Sequence, residues 1–242
     1  MKRVADIILS TLGLILAAPV VVPVMCMVYL QDGHSPFYIA PRVGKDGRLF
    51  RMVKLRSMRI NADKSGVDST GAADPRITAV GNFIRRYKLD EISQLWNVLK
   101  GDMSLVGPRP NVERETRMYT RQEQKLLTVK PGITDFASIV FADEGEILRG
   151  KADPDVAYNQ LIRPWKSRLG IFYVERRSVL LDLKLIGWTG LAITSRARAL
   201  HAVSQELKSM GADAALVRIS RRDQELQPMP PPGADVIVTA RY

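Results

Sequence analysis

Asp90 and Glu91 stand side by side where a helical pattern begins. Ile92, Leu95, Trp96 and Leu99 recur at i, i+3, i+4 and i+7, which predicts a helix running to Lys100. Asp90 is a favoured N-cap type, Glu91 suits the first turn, and Gly101 suits the position after the end. Carboxylates at a helix amino terminus lie beside free backbone N–H groups and the positive end of the dipole, where phosphate also binds. An aspartate there could attack phosphorus, with the transferred phosphoryl group held by those donors. A neighbouring glutamate could hold Mg²⁺ or move a proton. Ordinary helix capping is the plainer reading of the same pair.

Cations suited to phosphate occur at two places. Lys54 and Arg56 are expected on one face of a strand with Phe50 and Met52, where they could grip a diphosphate. A solvated edge strand defended by charge has the same pattern. Arg109 lies between Pro108 and Pro110, which fix its backbone and suit bidentate phosphate binding. The alternative is a surface arginine in a proline-rich turn.

The elements that must carry these residues are legible in outline. Phe37-Tyr38-Ile39 and Leu49 to Met58 flank Gly44-Lys45-Asp46-Gly47, which predicts a β-hairpin. Residues 60–76 are polar with Gly66, Gly71 and Pro75, and read as a mobile loop. Arg76 to Tyr87 resumes helical periodicity and carries Arg85 and Arg86 near its end.

The amino terminus adds a membrane signal. Ile7 to Leu30 contains no charged residue and is long enough to cross a bilayer as a helix. A signal peptide fits poorly, because the stretch is long and no A-x-A-like site follows. A straight span conflicts with charge placement. Lys2 and Arg3 precede the segment, and Arg42, Lys45, Arg48, Arg51, Lys54, Arg56 and Arg59 follow it, so both flanks favour the cytoplasmic side. A helix break at Ala18-Pro19 would let the segment dip into one leaflet and return. A spanning helix merely kinked by Pro19 and Pro23 stays open on the residues alone.

Composition bounds the rest. The chain has 242 residues, 46% of them hydrophobic, which excludes wholesale disorder. Its mean hydropathy is near zero, too low for a polytopic membrane protein. One cysteine, Cys26, excludes an internal disulfide and a thiolate zinc cluster. His34 and His201 are the only histidines, so metal chemistry would fall to carboxylates and Mg²⁺-type ions. The net charge of +11 suits nucleic acid, phosphate-bearing substrates or anionic lipid. No helix-turn-helix, zinc-finger or stacking motif appears, so nucleic acid drops out.

Five blocks then occur in order behind the hydrophobic start. They are Lys54-Leu55-Arg56-Ser57-Met58, Asp74-Pro75-Arg76-Ile77-Thr78, Leu89-Asp90-Glu91, the unbroken stretch from Asn97 to Pro110, and Lys130-Pro131-Gly132-Ile133-Thr134. Together they strongly resemble the bacterial sugar transferase family, the monotopic phosphoglycosyl transferases, over roughly residues 1–190. The resemblance implies transfer of a sugar-1-phosphate from a UDP-sugar to undecaprenyl phosphate with release of UMP, the initiating membrane step of polysaccharide or glycoconjugate synthesis. Asp90 matches the family nucleophile, which forms a covalent phosphosugar–aspartate. Glu91 matches the partner carboxylate, and Asp90 with Glu91 would hold Mg²⁺. Lys54, Arg56, Arg85 and Arg109 match positions expected to hold phosphate or nucleotide. Pro19 matches the helix-breaking proline, so the resemblance favours the re-entrant form. It also implies the bacterial inner membrane, with the catalytic domain on the cytoplasmic face and in contact with anionic lipids. A homo-oligomer is compatible with this. A non-catalytic membrane-associated scaffold of the same pathway is the rival function; intact Asp90, Glu91 and Arg109 argue against it.

The expected fold is therefore α+β and mostly helical. A re-entrant membrane segment occupies 1–32, a catalytic domain 33–194, and a variable extension 195–242. The catalytic domain should contain the small hairpin, the catalytic helix and interfacial amphipathic helices. Residues 178–193 are apolar but interrupted by Asp182 and Lys184, which predicts a helix in the interface with Trp188 at headgroup depth; a core helix is the alternative. In the extension, Arg196 to Met210 reads as a helix, and Ala214 to Ser220 and Asp235 to Ala240 as strands. The chain departs from the family pattern at Ala18, Lys88, Ile92, Ser93, Asp135 to Ser138, Phe141 to Glu144 and Gly170. The later departures fall where sugar or nucleotide contacts would lie, and they leave the sugar open.

Overall fold

The first element of the computed structural model is α1 (Lys2–Asp32), a single helical run that contains both Pro19 and Pro23. The structure describes residues 2–62 and 74–240, so residues 63–73 of the loop expected over 60–76 lie outside the described residues. α1 is long and apolar enough to cross a membrane. Ile8, Leu12, Ile15, Leu16, Val20 and Leu30 on it are exposed.

Both ends of α1 are tied to the same folded body. At its start, Lys2 Nζ donates to Asp182 Oδ2 at 2.5 Å and to Val106 O at 3.0 Å. Arg3 donates to the carbonyls of Val98 and Leu99. Asp6 Oδ1 accepts from Ser104 Oγ and from Leu105 N, each at 3.1 Å. At its end, the Arg56 guanidinium grips both Asp32 oxygens, at 2.5 and 2.7 Å, and Ser35 O at 2.9 Å. Val24 and Val28 pack there with Leu55, Ile84 and Leu89.

The hairpin forms as expected, with β1 (Phe37–Val43) antiparallel to β2 (Leu49–Leu55) across the Lys45–Gly47 turn. β2 stops at Leu55 rather than Met58, which bridges Ile77 instead. Arg56 therefore lies beyond the strand, and the shared strand face expected for Lys54 and Arg56 does not form. The carboxylate of Asp32 and the carbonyls of His34 and Ser35 just past α1 draw the Arg56 guanidinium away.

α2 (Ala79–Arg86) is capped by the Thr78 hydroxyl, which accepts from Gly81 N at 2.9 Å. The single helix expected from Asp90 is two short ones, α3 (Leu89–Ile92) and α4 (Leu95–Lys100). Asp90 is not the N-cap. That position is Lys88, in the left-handed region at φ 53°, and Asp90 falls in the first turn. The break follows from Ser93, whose hydroxyl reaches Asp90 O at 3.0 Å and Val53 O at 3.2 Å and diverts the chain. Gly101 ends α4 in the left-handed conformation, as expected.

β3 (Ser104–Val106) pairs in parallel with β4 (Gly132–Thr134), with α5 (Glu113–Arg117) between them in the chain. Where the two segments cross, a Cβ on Gly132 would lie 2.0 Å from Gly107 N, so only glycine allows the approach. This crossing anchors the Pro108-Arg109-Pro110 turn. α6 (Phe136–Val140), α7 (Glu144–Ile147), α8 (Pro154–Ala157) and a π turn (Tyr158–Ile162) lead into α9 (Arg163–Arg176). α10 (Val179–Thr194) and α11 (Arg196–Ser209) follow. Phe136, Ile162, Leu169, Leu185 and Val203 lie in one core cluster.

α10 packs one face into that core through Leu181 and Leu185, while Leu180, Leu183 and Ile193 stay exposed. Trp188 is half-buried against the core. In the extension the expected strand over 214–220 is instead α12 (Ala214–Arg221). Asp213 caps it by accepting from Leu216 N, and Leu216 and Val217 are buried, a helical spacing. Residues 235–240 form no strand; they return as irregular chain that buries Val238.

Candidate active site

A cavity of about 1180 Å³ opens beside α3, and Lys54, Arg56, Arg85, Asp90, Glu91 and Arg109 all line it. Their parts differ. The one-turn helix α3 presents Asp90 and Glu91, and β2 presents Lys54, whose Nζ lies 3.5 Å from Asp90 Oδ2. Burial and the neighbouring Arg109 charge hold the Lys54 ammonium below the ordinary lysine value, against the pull of Asp90 and Glu91.

Arg109 reaches across from its rigid turn, with Nη2 2.8 Å from Glu91 Oε1. Burial alone would raise the Glu91 carboxyl, but Arg109, Lys88 and Lys54 outweigh it and keep the group below its ordinary value. The same pairing, with help from Asp90, raises Arg109 further despite its burial. Arg85 donates from Nε to Ser57 Oγ at 3.0 Å. Its Nη atoms make no hydrogen bond among the described residues. Arg56 faces the cavity, but its guanidinium is bound to Asp32 and to backbone carbonyls around the end of α1.

Two residues that sequence reasoning passed over set this geometry. Asn97 is fully buried; its Oδ1 accepts from Val53 N at 2.9 Å and its Nδ2 donates to Arg51 O at 2.7 Å. It bolts α4 to the strand that carries Lys54. Ser93 fastens the end of α3 to Val53 O on the same strand. The signal in the sequence was the set of polar residues Ser93, Gln94 and Asn97 among Ile92, Leu95, Trp96, Val98 and Leu99.

Asp90 and Glu91 are adjacent carboxylates of the kind that could hold a divalent ion. No group of three or more Asp, Glu, His or Cys residues able to hold a metal occurs among the described residues. Two adjacent carboxylates match Mg²⁺, which is commonly bound by one or two carboxylates plus substrate phosphates.

The later departures, from Asp135 onward, differ in where they sit. Asp135, Ser138 and Glu144 line the cavity. Asp143 instead gathers Arg196 at 2.7 Å and Arg222 at 3.2 Å, so it fastens α11 and the turn after α12. At Gly170 a Cβ would lie 2.8 Å from Leu126 Cδ2, so a larger side chain there requires Leu126 to shift.

Comparison with known proteins matches residues 1–196 to the bacterial sugar transferase family. The chain is 33% identical to the exopolysaccharide production protein ExoY of Sinorhizobium fredii over 200 residues, covering 76% of this chain and 81% of that protein. It is 35% identical to the UDP-glucose:undecaprenyl-phosphate glucose-1-phosphate transferase of Escherichia coli over 189 residues, covering 77% of this chain and 38% of the relative. It is 43% identical to the undecaprenyl-phosphate galactose phosphotransferase of Salmonella typhimurium over 154 residues, covering 55% and 31%. The latter two are longer proteins, of which the chain spans about a third.

Proposed function

The chain belongs to the bacterial sugar transferase family, and on that premise we propose that it transfers a sugar-1-phosphate from a UDP-sugar to undecaprenyl phosphate. UMP is released, and the product starts a polysaccharide or glycoconjugate on the membrane. The observation that carries this reading is the placement of Asp90 3.5 Å from Lys54 and next to a Glu91 that is paired with Arg109, at the wall of one large cavity.

An Asp90 carboxylate oxygen attacks the sugar-bearing phosphorus of the donor. The bond from that phosphorus to the bridging oxygen breaks, UMP leaves with the electron pair, and a phosphosugar–aspartate remains. A phosphate oxygen of the lipid acceptor then attacks the same phosphorus, and the Asp90 carboxylate departs. Two steps let a soluble donor and a lipid acceptor use one nucleophile in turn. Lys54 lies near the attacking carboxylate, and Arg85 and Arg109 offer donors to phosphoryl oxygens. Glu91, kept ionised by Arg109, is available to the acceptor phosphate. Asp90 and Glu91 would hold Mg²⁺, which when bound neutralises charge on the phosphoryl oxygens. Arg56 serves the end of α1 more than phosphate.

The protein is read as monotopic, on the cytoplasmic face of the inner membrane. The tethering of both α1 ends to one body supports this, because a straight perpendicular span would put them on opposite sides. Pro19 is where the chain would turn back. The exposed apolar face of α10 and the net charge of +11 suit contact with anionic lipid.

The test is UMP release from a panel of UDP-sugars, with and without undecaprenyl phosphate, by wild type and Asp90→Asn. Turnover should depend on acceptor and vanish in the variant. Full activity in Asp90→Asn would remove the nucleophile. Absence of turnover with every donor would favour a scaffold role.

A further inference from the structure

Between Phe141 and Tyr158 the cavity wall is built from pieces too short to hold themselves. α7 and α8 have four residues each, and an isolated helix of one turn is unstable in water. Yet Phe141, Glu144, Glu146 and Tyr158 all line the cavity. Contacts from elsewhere must fix this wall. Lys166 on α9 does part of it by bonding Glu144 Oε2. The rest comes from residues 196–240, which begin where the family match ends.

Asp143 is the first attachment. Its main-chain carbonyl accepts from Glu146 N at 2.8 Å and from Ile147 N at 3.1 Å, so it starts α7. Two guanidinium groups converge on its carboxylate. Arg196 Nη2 lies 2.7 Å from Oδ1, and Arg222 Nη2 lies 3.2 Å from Oδ2. Arg196 also donates to Val140 O at 3.3 Å, and Arg222 lies over the Phe141 ring, 5.3 Å from its centroid. Phe141 and Asp143 are both departures from the family pattern, and Arg222 meets both. The π turn Tyr158–Ile162 is the second attachment. Gln160 O accepts from Met229 N at 3.0 Å, and Gln160 Nε2 donates to Val238 O at 2.7 Å. Arg168 Nη1 holds Pro230 O at 3.1 Å, and Thr120 Oγ1 holds Pro232 O at 2.5 Å. Pro228 and Pro230 to Pro232 fix φ along this strap, which lowers the entropy lost in ordering it. Leu226 seats the strap in the main core, beside Val203, Leu207 and Leu216 of the two preceding helices.

We propose that residues 196–240 are a positioning element of the active site. They hold the cavity wall through Asp143 and Gln160 and so set the affinity for the UDP-sugar, although none of these described residues lines the cavity. The proposal rests on the transfer reading above and adds a part to it. A loose wall must be ordered when a ligand fills the cavity, and that ordering is subtracted from the affinity. Neither attachment touches Asp90 or Glu91, so the ground state and the transition state lose equally. KM then rises while kcat stays.

The experiment compares wild type, Arg222→Gln, Arg222→Lys and Gln160→Met as purified full-length chains, with thermal melts to verify folding. Hydrogen exchange is followed in peptides covering residues 141–149 and 158–163. Titration calorimetry measures UDP-glucose, UDP-galactose, UDP-N-acetylglucosamine and UDP-N-acetylgalactosamine, and UMP release gives KM and kcat. Arg222→Gln should speed exchange in the first peptide and weaken the preferred UDP-sugar by about fivefold, with kcat within about twofold. Arg222→Lys keeps a positive charge on Asp143 and should recover most of that affinity. Gln160→Met should speed exchange over the π turn and weaken the same ligand by about twofold. Unchanged exchange in both Arg222→Gln and Gln160→Met would overturn the proposal. So would faster exchange with unaltered affinity, which would leave the extension a stabiliser only. A loss that Arg222→Lys does not rescue, a fall in kcat as large as the fall in affinity, or no binding of any UDP-sugar by wild type would overturn it as well. If the affinity losses and the rescue appear while wild type transfers no sugar to lipid, the positioning role stands and the transfer reading fails.

Discussion

Lys54 Nζ lies 3.5 Å from Asp90 Oδ2, although the two residues belong to β2 and α3, with α2 between them in the chain. The approach depends on Asn97 and Ser93, which bond the backbone of β2 from the helical side. The cation beside the proposed nucleophile is thus held by a polar bolt that lands on Val53, the residue before it.

Asn97→Ala removes two hydrogen bonds to β2 and leaves a buried N–H and carbonyl unmatched. Stability should fall by about 2–4 kcal/mol in chemical denaturation. UMP release under folding conditions should fall further than that of a variant equally destabilised elsewhere, such as Leu207→Ala. Equal losses would make Asn97 a structural residue only.

The alkaline limb of the rate profile should report Lys54. Burial and Arg109 lower its pKa, so the neutral amine appears at lower pH than for an ordinary lysine. Activity that needs the ammonium is then lost below pH 10.5, the ordinary value. Lys54→Arg, which stays charged, should move that limb upward. A limb unmoved in Lys54→Arg would assign it to another group.

Gly132→Ala should unfold the β3–β4 crossing, with a loss above about 3 kcal/mol, because the new Cβ would meet Gly107 backbone. Gly187→Ala is the control. A Cβ there meets nothing within 4 Å, and the helix should gain about 0.5–1 kcal/mol. Comparable melting temperatures for the two variants would contradict the close crossing.

Arg56→Lys should lower the melting temperature and increase proteolysis near residue 33, since one ammonium cannot replace the fork on Asp32. Donor KM should change less than in Arg109→Lys. A larger KM change at Arg56 would return it to the phosphate site.

Chelation should stop UMP release, and added Mg²⁺ should restore it, if the proposed Asp90–Glu91 pair holds the ion together with substrate phosphates. Full turnover in excess chelator would separate the carboxylate pair from metal.

Local chemistry made much of this protein legible without coordinates. The apolar run of α1, the hairpin turn at Gly44 to Gly47, the adjacent acids and the proline-flanked Arg109 each lie within a few residues of their own signal. The misjudged elements were those decided by distant partners. Asp90 reads as a cap until Ser93 bonds Val53 and splits the helix. Residues 214–220 alternate well enough for a strand, but the Asp213 cap and the pocket for Leu216 make them helical.

The amino-acid sequence determined the family, because motif order and residue type are properties of the chain itself. Tertiary structure decided which charges face the Asp90–Glu91 pair and which serve the scaffold. Arg56 and Lys54 are two residues apart, yet one clamps Asp32 and the other faces Asp90. Lys54 is still on β2, which packs against α3, whereas Arg56 falls past the strand's end within reach of Asp32 at the end of α1.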